Sequence, residues 1–185
     1  MKQLYRISII AILSLAPILL YGQGNNKYEN EEIKVINQFL YKLIDAERLS
    51  KYNETDKPLT LYFHTGLDCD LNKSHKKEYK RNILLKQLDN SNLGRRFIDS
   101  TKIEKLKNVD IIFGRKNMYP KEKYNSKRVI GTISFSRTSF NKSLTTGYFY
   151  YDVYCGEDCG HGALIRIKKK NGAWIIDDYI SMWIS

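Results

Sequence analysis

Residues 145–176, TTGYFYYDVYCGEDCGHGALIRIKKKNGAWII, decide the fold that the sequence predicts. Apolar and polar residues alternate along 145–154 and again from Ala163, which is typical of strands with one buried face. Asn171-Gly172 is the pair that favours a type I′ hairpin turn, because both residues adopt positive φ readily. With the alternation before it, this stretch predicts an antiparallel meander of four strands, at residues 129–135, 145–154, 163–168 and from 174 onwards.

The residues before the meander predict helices that alternate with short strands. Apolar residues at helical spacing follow Asn30 and predict an amphipathic helix to about Leu49, with Glu31 and Glu32 in its first turn. The other expected elements are a strand at 58–63, a helix at 74–88, a short helix at 97–106 and a strand at 109–113. This order predicts an α+β domain in which N-terminal helices pack on a C-terminal antiparallel meander.

Residues 1–22 have the layout of a secretory signal peptide. Basic residues precede an apolar run from Ile7 to Leu20, and the small residue Gly22 stands at the expected cut. The run is shorter than the roughly 20 residues that a membrane-spanning helix needs, although an uncleaved anchor is the alternative. We therefore expect an exported protein, periplasmic or extracellular, with a single α+β domain at 23–185 and no transmembrane segment after signal removal.

The chain is basic, with a formal net charge of +11 at pH 7. Such a balance could attract nucleic acid, anionic glycans or acidic lipid headgroups. The basic residues are mostly lysines spread along the chain, with runs at 73–81 and at the hairpin tip 168–170. A solvated surface explains both runs, and an exported protein rarely meets intracellular nucleic acid. The expected partner is an unknown protein or small ligand, and no nucleic acid.

The loop at residues 154–162 contains two of the three cysteines. Its glycines permit a tight turn that brings Cys155 and Cys159 within disulfide reach, and such bridges persist in oxidising compartments. Closing five residues stabilises a fold by about 2 kcal/mol in the chain-entropy model. Cys69 is then an odd thiol, either free or paired with one of the other two.

Two other interpretations of these cysteines are a zinc site and a catalytic nucleophile. Cys155, Cys159 and His161 could hold zinc with Cys69 or His64 as a fourth ligand, although their spacing is not among the strong zinc patterns. Alternatively, His161 could activate Cys159 as a nucleophile, since residues two apart on a strand share a face. The alternative function is therefore a thiol- or metal-dependent enzyme that uses Cys159, His161 and Cys69.

A tyrosine-rich strand offers the best candidate ligand surface. Tyr148, Tyr150 and Tyr154 alternate along one predicted face, and His161 follows in the glycine-rich loop. Aromatic side chains with a few polar groups are typical of ligand pockets, so these four residues are the candidate binding site. The sequence has no phosphate loop, dinucleotide fingerprint or nucleophile elbow, and we expect no cofactor, no resident metal and no catalytic residue.

Four features resemble secreted α+β proteins of Bacteroidota that have no known activity. They are ISFSRTSFNK at 133–142, CGEDCGHG at 155–162, NGAW at 171–174 and WIS at 183–185. The resemblance covers about the last third of the chain. It implies a small α+β domain, similar to the nuclear-transport-factor-2-like or cystatin-like folds, and it transfers no catalytic residue. With the expected export, this favours a non-enzymatic domain that binds a ligand or partner on its sheet or at the cysteine loop.

Overall fold

One mixed β-sheet dominates the protein in the computed structural model, which describes residues 27–43, 58–67, 88, 96–115, 129–156 and 159–184. Strands make up 59% of these residues, whereas residues 27–43 form one long helix, α1. Ser100–Lys102 add a turn of 3₁₀ helix. The strands are β1 (Leu59–His64), β2 (Gly66–Leu67), β3 (Arg96–Phe97), β4 (Val109–Gly114), β5 (Val129–Phe135), β6 (Ser139–Phe140), β7 (Thr146–Gly156), β8 (Cys159–Lys170) and β9 (Ala173–Ile184).

The sheet has a parallel part and an antiparallel part. Strand β1 lies between β4 and β5 and runs parallel to both. From β5 the sheet continues through β7, β8 and β9, each antiparallel to its neighbour, and β6 also pairs with β7. The order is therefore β4-β1-β5-β7-β8-β9, while β2 and β3 form a separate antiparallel pair.

The predicted fold class is wrong. The C-terminal strands pair in the expected order, but they belong to a seven-stranded mixed sheet and not to a meander covered by helices, so neither suggested fold family is supported. The reason lies in β1, whose residues are almost all buried. Parallel strands covered on both faces are apolar in near-continuous runs, as in LTLYFH, and such a run does not reveal which strand it will join.

Helix α1 packs its apolar stripe on the sheet as predicted. Phe39 lies 5.9 Å from Phe149 between ring centroids, and Phe135 lies 5.9 Å from Phe149 and 5.7 Å from Phe63. These rings join the helix to β7, β5 and β1 in one apolar core. The residues of α1 in this core are Ile33, Val35, Ile36, Phe39, Leu40 and Leu43.

The boundaries of the predicted helices are less accurate. Residues 27–30 are already helical, so Asn30 is not the cap that starts α1. The expected helix at 97–106 shrinks to the turn Ser100–Lys102, while Phe97 belongs to β3. The expected helix at 74–88 lies outside the described residues except for Leu88, which is helical. Within the described ranges, no helix combines the length and apolar character needed to cross a membrane.

The opposite face of the sheet also has an apolar cover. Leu88 is only 1% exposed and forms a second cluster with the fully buried Leu164 of β8. The half-buried side chains packed against this pair are Tyr148, Tyr150, Ile180 and Met182.

The β8–β9 hairpin has the predicted two-residue turn. Asn171 has φ +52° and Gly172 has φ +82°, and Lys170 pairs with Ala173 across them. Two successive positive φ values are what a type I′ turn requires, so the Asn-Gly prediction is confirmed.

Replacing Leu40 by Ala tests the packing of α1. Leu40 is 1% exposed in the core, and we expect the free energy of unfolding to fall by about 2–5 kcal/mol through lost burial and the cavity left behind. The neighbouring Tyr41 is 57% exposed, and Tyr41→Ala should change stability by no more than about 0.5 kcal/mol. Denaturant unfolding measures both, and equal effects would mean that α1 does not pack through this stripe.

Candidate functional site

The two cysteines of the β7–β8 turn lie at disulfide distance. The sulfur atoms of Cys155 and Cys159 are 2.13 Å apart and their Cα atoms 5.1 Å apart. Gly156 pairs with Cys159 at the turn, and its φ of +144° is one that other residues rarely adopt. The turn rests on β5, because a Cβ added to Gly131 would lie 3.2 Å from the Cα of Cys155. The expected bridge thus closes the turn and seats it on the sheet.

The remaining loop glycines make room for a tryptophan of β9. A Cβ added to Gly160 would lie 2.9 Å from the ring of Trp183, and one added to Gly162 would collide with both Trp183 and the Tyr150 hydroxyl. The indole Nε1–H of Trp183 donates to Tyr150 Oη at 2.7 Å. Gly160 and Gly162 of the cysteine loop and Trp183 of β9, which are far apart in the sequence, therefore form one packed unit.

Replacing Gly162 by Ala tests this unit. The added methyl group has no space beneath Trp183, and we expect a loss of about 1–3 kcal/mol in the free energy of unfolding.

A double-mutant cycle with Trp183→Ala supplies the control. The smaller side chain should relieve much of the cost of Gly162→Ala, since residues in contact couple energetically. The same cost in both backgrounds would show that Trp183 is not the obstacle.

The three candidate tyrosines lie on the face of the sheet opposite α1. Tyr148 pairs with Arg166, Tyr150 with Leu164 and Tyr154 with Gly160. Tyr148 and Tyr150 are partly buried and pack against the Leu88 cluster, and the ligand-binding role of the tyrosines stays a prediction. Desolvation raises the pKa of Tyr150 to about 12, although the bond from Trp183 opposes the shift.

His161 lies on the helix side of the sheet, away from those tyrosines. It pairs with Val153 across the β7–β8 ladder and shares a face with Tyr151. Tyr151 Oη and His161 Nε2 are 3.1 Å apart, and the rings meet edge-on with centroids 5.5 Å apart. Burial raises the pKa of Tyr151, and a hydrogen bond with Tyr179 of β9 adds to the shift. The structure thus joins His161 to Tyr151 and Tyr179, a grouping that sequence reasoning missed.

Three exposed apolar side chains extend this group along β9. Ile176 is 41% exposed, Tyr179 48% and Ile184 80%. They pair with Ile167, Ile165 and His161 of β8 and therefore all lie on the helix side. We call these three residues the β9 stripe.

Two bulges in β9 produce this alignment. Register shifts at Asp177 and at Met182 insert one extra residue each, so residues three apart, such as Ile176 and Tyr179, share a face. Strict alternation would have placed them on opposite faces. The sequence gives no local signal for these bulges.

Two acidic residues of α1, Glu31 and Glu32, form a second group of polar contacts. Glu32 is fully buried, and its Oε1 accepts hydrogen bonds from the backbone N–H of Thr138 at 2.7 Å and from Arg137 Nε at 3.2 Å. Its Oε2 accepts a hydrogen bond from Arg96 Nη1 at 3.1 Å. Both carboxylate oxygens of the buried Glu32 therefore accept hydrogen bonds, and these bonds connect α1 to β3 and to the loop after β5.

Glu31 forms a similar connection to the β8–β9 hairpin. Its Oε2 accepts hydrogen bonds from Lys169 Nζ at 2.7 Å and Trp174 Nε1 at 3.0 Å, and its Oε1 accepts one from Lys34 Nζ at 2.9 Å. Desolvation raises the pKa of this carboxyl group, but the three donors outweigh it and the pKa falls to about 2. Because each carboxylate oxygen of Glu31 and Glu32 accepts at least one hydrogen bond, we infer that both side chains stabilise the fold.

This pairing predicts an acid-dependent loss of stability. The folded-state pKa of Glu31, about 2, is below its ordinary value of 4.5, so its contribution is present above about pH 4.5 and lost as pH falls towards 2. The stability difference between the natural protein and Glu31→Gln should therefore shrink over that range, as measured by urea unfolding at several pH values.

The exposed Glu104 provides a matched control. Glu104→Gln removes one carboxylate from the surface beside the 3₁₀ turn and should show little such pH dependence. A pH profile for Glu31→Gln that follows the Glu104→Gln profile would contradict the role of Glu31.

The described residues do not support the predictions of a zinc site and of a cysteine nucleophile. Among them, no group of three or more His, Cys, Asp or Glu side chains is placed to hold a metal ion. In the bonded state Cys159 has no thiol to deprotonate, so attack by its sulfur would require prior reduction. Cys69 lies outside the described residues. The enzymatic alternative stays a prediction.

Comparisons of the chain with protein-family models, with curated proteins and with solved structures gave no match.

Proposed function

We propose that the protein is an exported, non-enzymatic binding domain whose partner contacts the β9 stripe beside the cysteine loop. Export is supported by the signal-like layout of residues 1–22. It is also supported by the Cys155–Cys159 pair, since bonded cysteines of this kind persist in oxidising compartments. The proposed location is the periplasm or the extracellular space.

The observation that carries the binding role is the exposure of the β9 stripe. Single exposed apolar residues are normal on a protein surface, whereas aligned ones mark interaction sites. Of the six large apolar side chains exposed in the described part of the chain, three are on this one strand and on one face of it. The other three, Tyr41, Phe97 and Ile112, lie on separate elements.

The chemistry of the stripe favours a protein partner over a small solute. Ile176 and Ile184 offer apolar contact, while Tyr179 adds an aromatic ring with a hydroxyl group. Tyrosine is enriched at interfaces because its ring buries a large area and its hydroxyl keeps a polar partner. The stripe runs along a strand at the side of the sheet, a shape suited to an extended contact.

Site-specific photo-crosslinking tests this function. Tyr179 is replaced by benzoylphenylalanine in the protein as it is exported, and we expect one dominant adduct on illumination. The adduct should be suppressed by an excess of the unlabelled natural protein. It should not be suppressed by the double variant Ile176→Ser, Ile184→Ser, whose stripe is no longer apolar.

The equally aromatic and exposed Tyr41 of α1 is the matched control position. The same photoreactive group there should give no adduct that the natural protein suppresses. Identical adducts at both positions, or competition by the double variant, would refute binding through the β9 stripe.

A further inference from the structure

We propose that the occupant of the β9 stripe is an extended segment of a partner polypeptide, acidic overall, that adds as a strand to the outer edge of β9 at residues 180–184. This inference rests on the proposed function and deepens it. It assigns the chemical class of the partner and the way in which its backbone is held.

Strand β9 has a neighbouring strand on one side only among the described strands. β9 pairs with β8 along its length, and it is the last strand in the sheet order. A terminal strand presents a row of backbone N–H and C=O groups on its outer side. Another extended backbone matches such a row, and strand addition of this kind takes its affinity from main-chain hydrogen bonds.

Side chains cover this edge at two positions, Trp174 and Tyr179. The side-chain amide of Gln38 on α1 donates to the carbonyl of Trp174, and its Oε1 accepts the Trp174 N–H at 3.2 Å. The Tyr179 N–H donates to Asp178 Oδ1 at 2.9 Å. These side chains take the place of a neighbouring strand at Trp174 and Tyr179.

Beyond Tyr179 this protection stops. In the part of the chain that the structure describes, no side chain bonds to the backbone of residues 180–184. Proteins commonly close an exposed strand edge by charges, bulges or covering groups. Among the described residues of β9, 180–184 are therefore the longest stretch without such a side-chain bond, which makes this stretch the place where a strand is received.

Exposed apolar side chains lie beside that open stretch. The helix-side neighbours of an added strand would be Tyr179 and Ile184, both well exposed, with Ser181 between them. Apolar side chains at alternate positions of the partner would pack on these residues, because alternate residues of a strand share a face.

The positive net charge of the chain favours a partner with negative charge and disfavours pairing with a second copy of the chain. Removal of residues 1–22, with Lys2 and Arg6, lowers the formal net charge from +11 to +9, which attracts an acidic segment over long range and repels a second copy of the chain. A partner strand in which apolar and acidic residues alternate would pack its apolar side chains on the β9 stripe, and its acidic side chains would be attracted by the positive net charge of the chain.

The experiment uses the protein as it is exported and a synthetic peptide in which valine and glutamate alternate. Amide hydrogen exchange is followed by NMR with and without saturating peptide. We expect exchange to slow by about tenfold or more at those amides of residues 180–184 that point away from β8, while the Trp174 amide, already bonded to Gln38, changes little. The same peptide with alternate backbone nitrogens methylated keeps its side chains and should give no slowing.

Two charge variants locate the contact. Ser181→Glu places a negative charge within the open edge and should weaken peptide binding at least several-fold. Ser100→Glu makes the same change of charge on the exposed 3₁₀ turn and should have little effect. Equal effects of the two variants would mean that only net charge matters and would overturn the proposal.

The remaining outcomes separate this inference from the proposed function. A suppressible adduct at Tyr179 without slowed exchange at residues 180–184 would leave the binding function standing and overturn strand addition. Slowed exchange at those residues on concentrating the protein alone, with dimers in sedimentation, would make a second copy the occupant and also overturn it. Loss of both the adduct and the slowed exchange would remove the proposed function as well.

Discussion

The pairing register of β8 is the constraint on which the rest of the structure depends. Its two ends are closed by short turns, the cysteine loop before Cys159 and the Asn171-Gly172 turn after Lys170. A slip of one residue would turn Ala163, Ile165 and Ile167 away from α1 and empty the core. The same slip would put side chains where the ring of Trp183 now lies over glycines. The core and the loop are therefore specified by one ladder.

The helix depends on that ladder through charge as well as through apolar packing. Glu31 reaches Lys169 and Trp174 of the hairpin, and Glu32 reaches Arg96 and Arg137 beyond the other strands. Removing one partner of a buried ion pair leaves a charge without compensation, so these contacts fix the orientation of α1 more strictly than apolar contacts alone. The apolar stripe of α1 determines which face is buried, and the carboxylates determine where along the sheet it lies.

Sequence reasoning identified the features that depend on neighbouring residues. The alternation of Phe149 and Tyr151, the Asn-Gly turn and the stripe containing Phe39 follow from local periodicity and backbone preference, and all three are present. The parallel position of β1 could not be predicted, because the choice of a partner strand depends on residues far along the chain. The contact between His161 and Tyr151 was also beyond reach, since it depends on the pairing register of β7 and β8, which sets His161 opposite Val153. The β9 stripe required knowledge of two bulges that leave no compositional signal.

The insertion of β1 between β4 and β5 has a consequence for the rate of folding. The β7–β8–β9 hairpins join residues that are close in sequence, whereas Thr60 must find Val129, which lies 69 positions later in the sequence. Closing a longer loop costs more chain entropy before any contact forms, and sheets with many distant pairings fold slowly. The hairpins should therefore assemble early and present the edge of β5, and docking of β1 on that edge should limit the rate at which the native sheet appears.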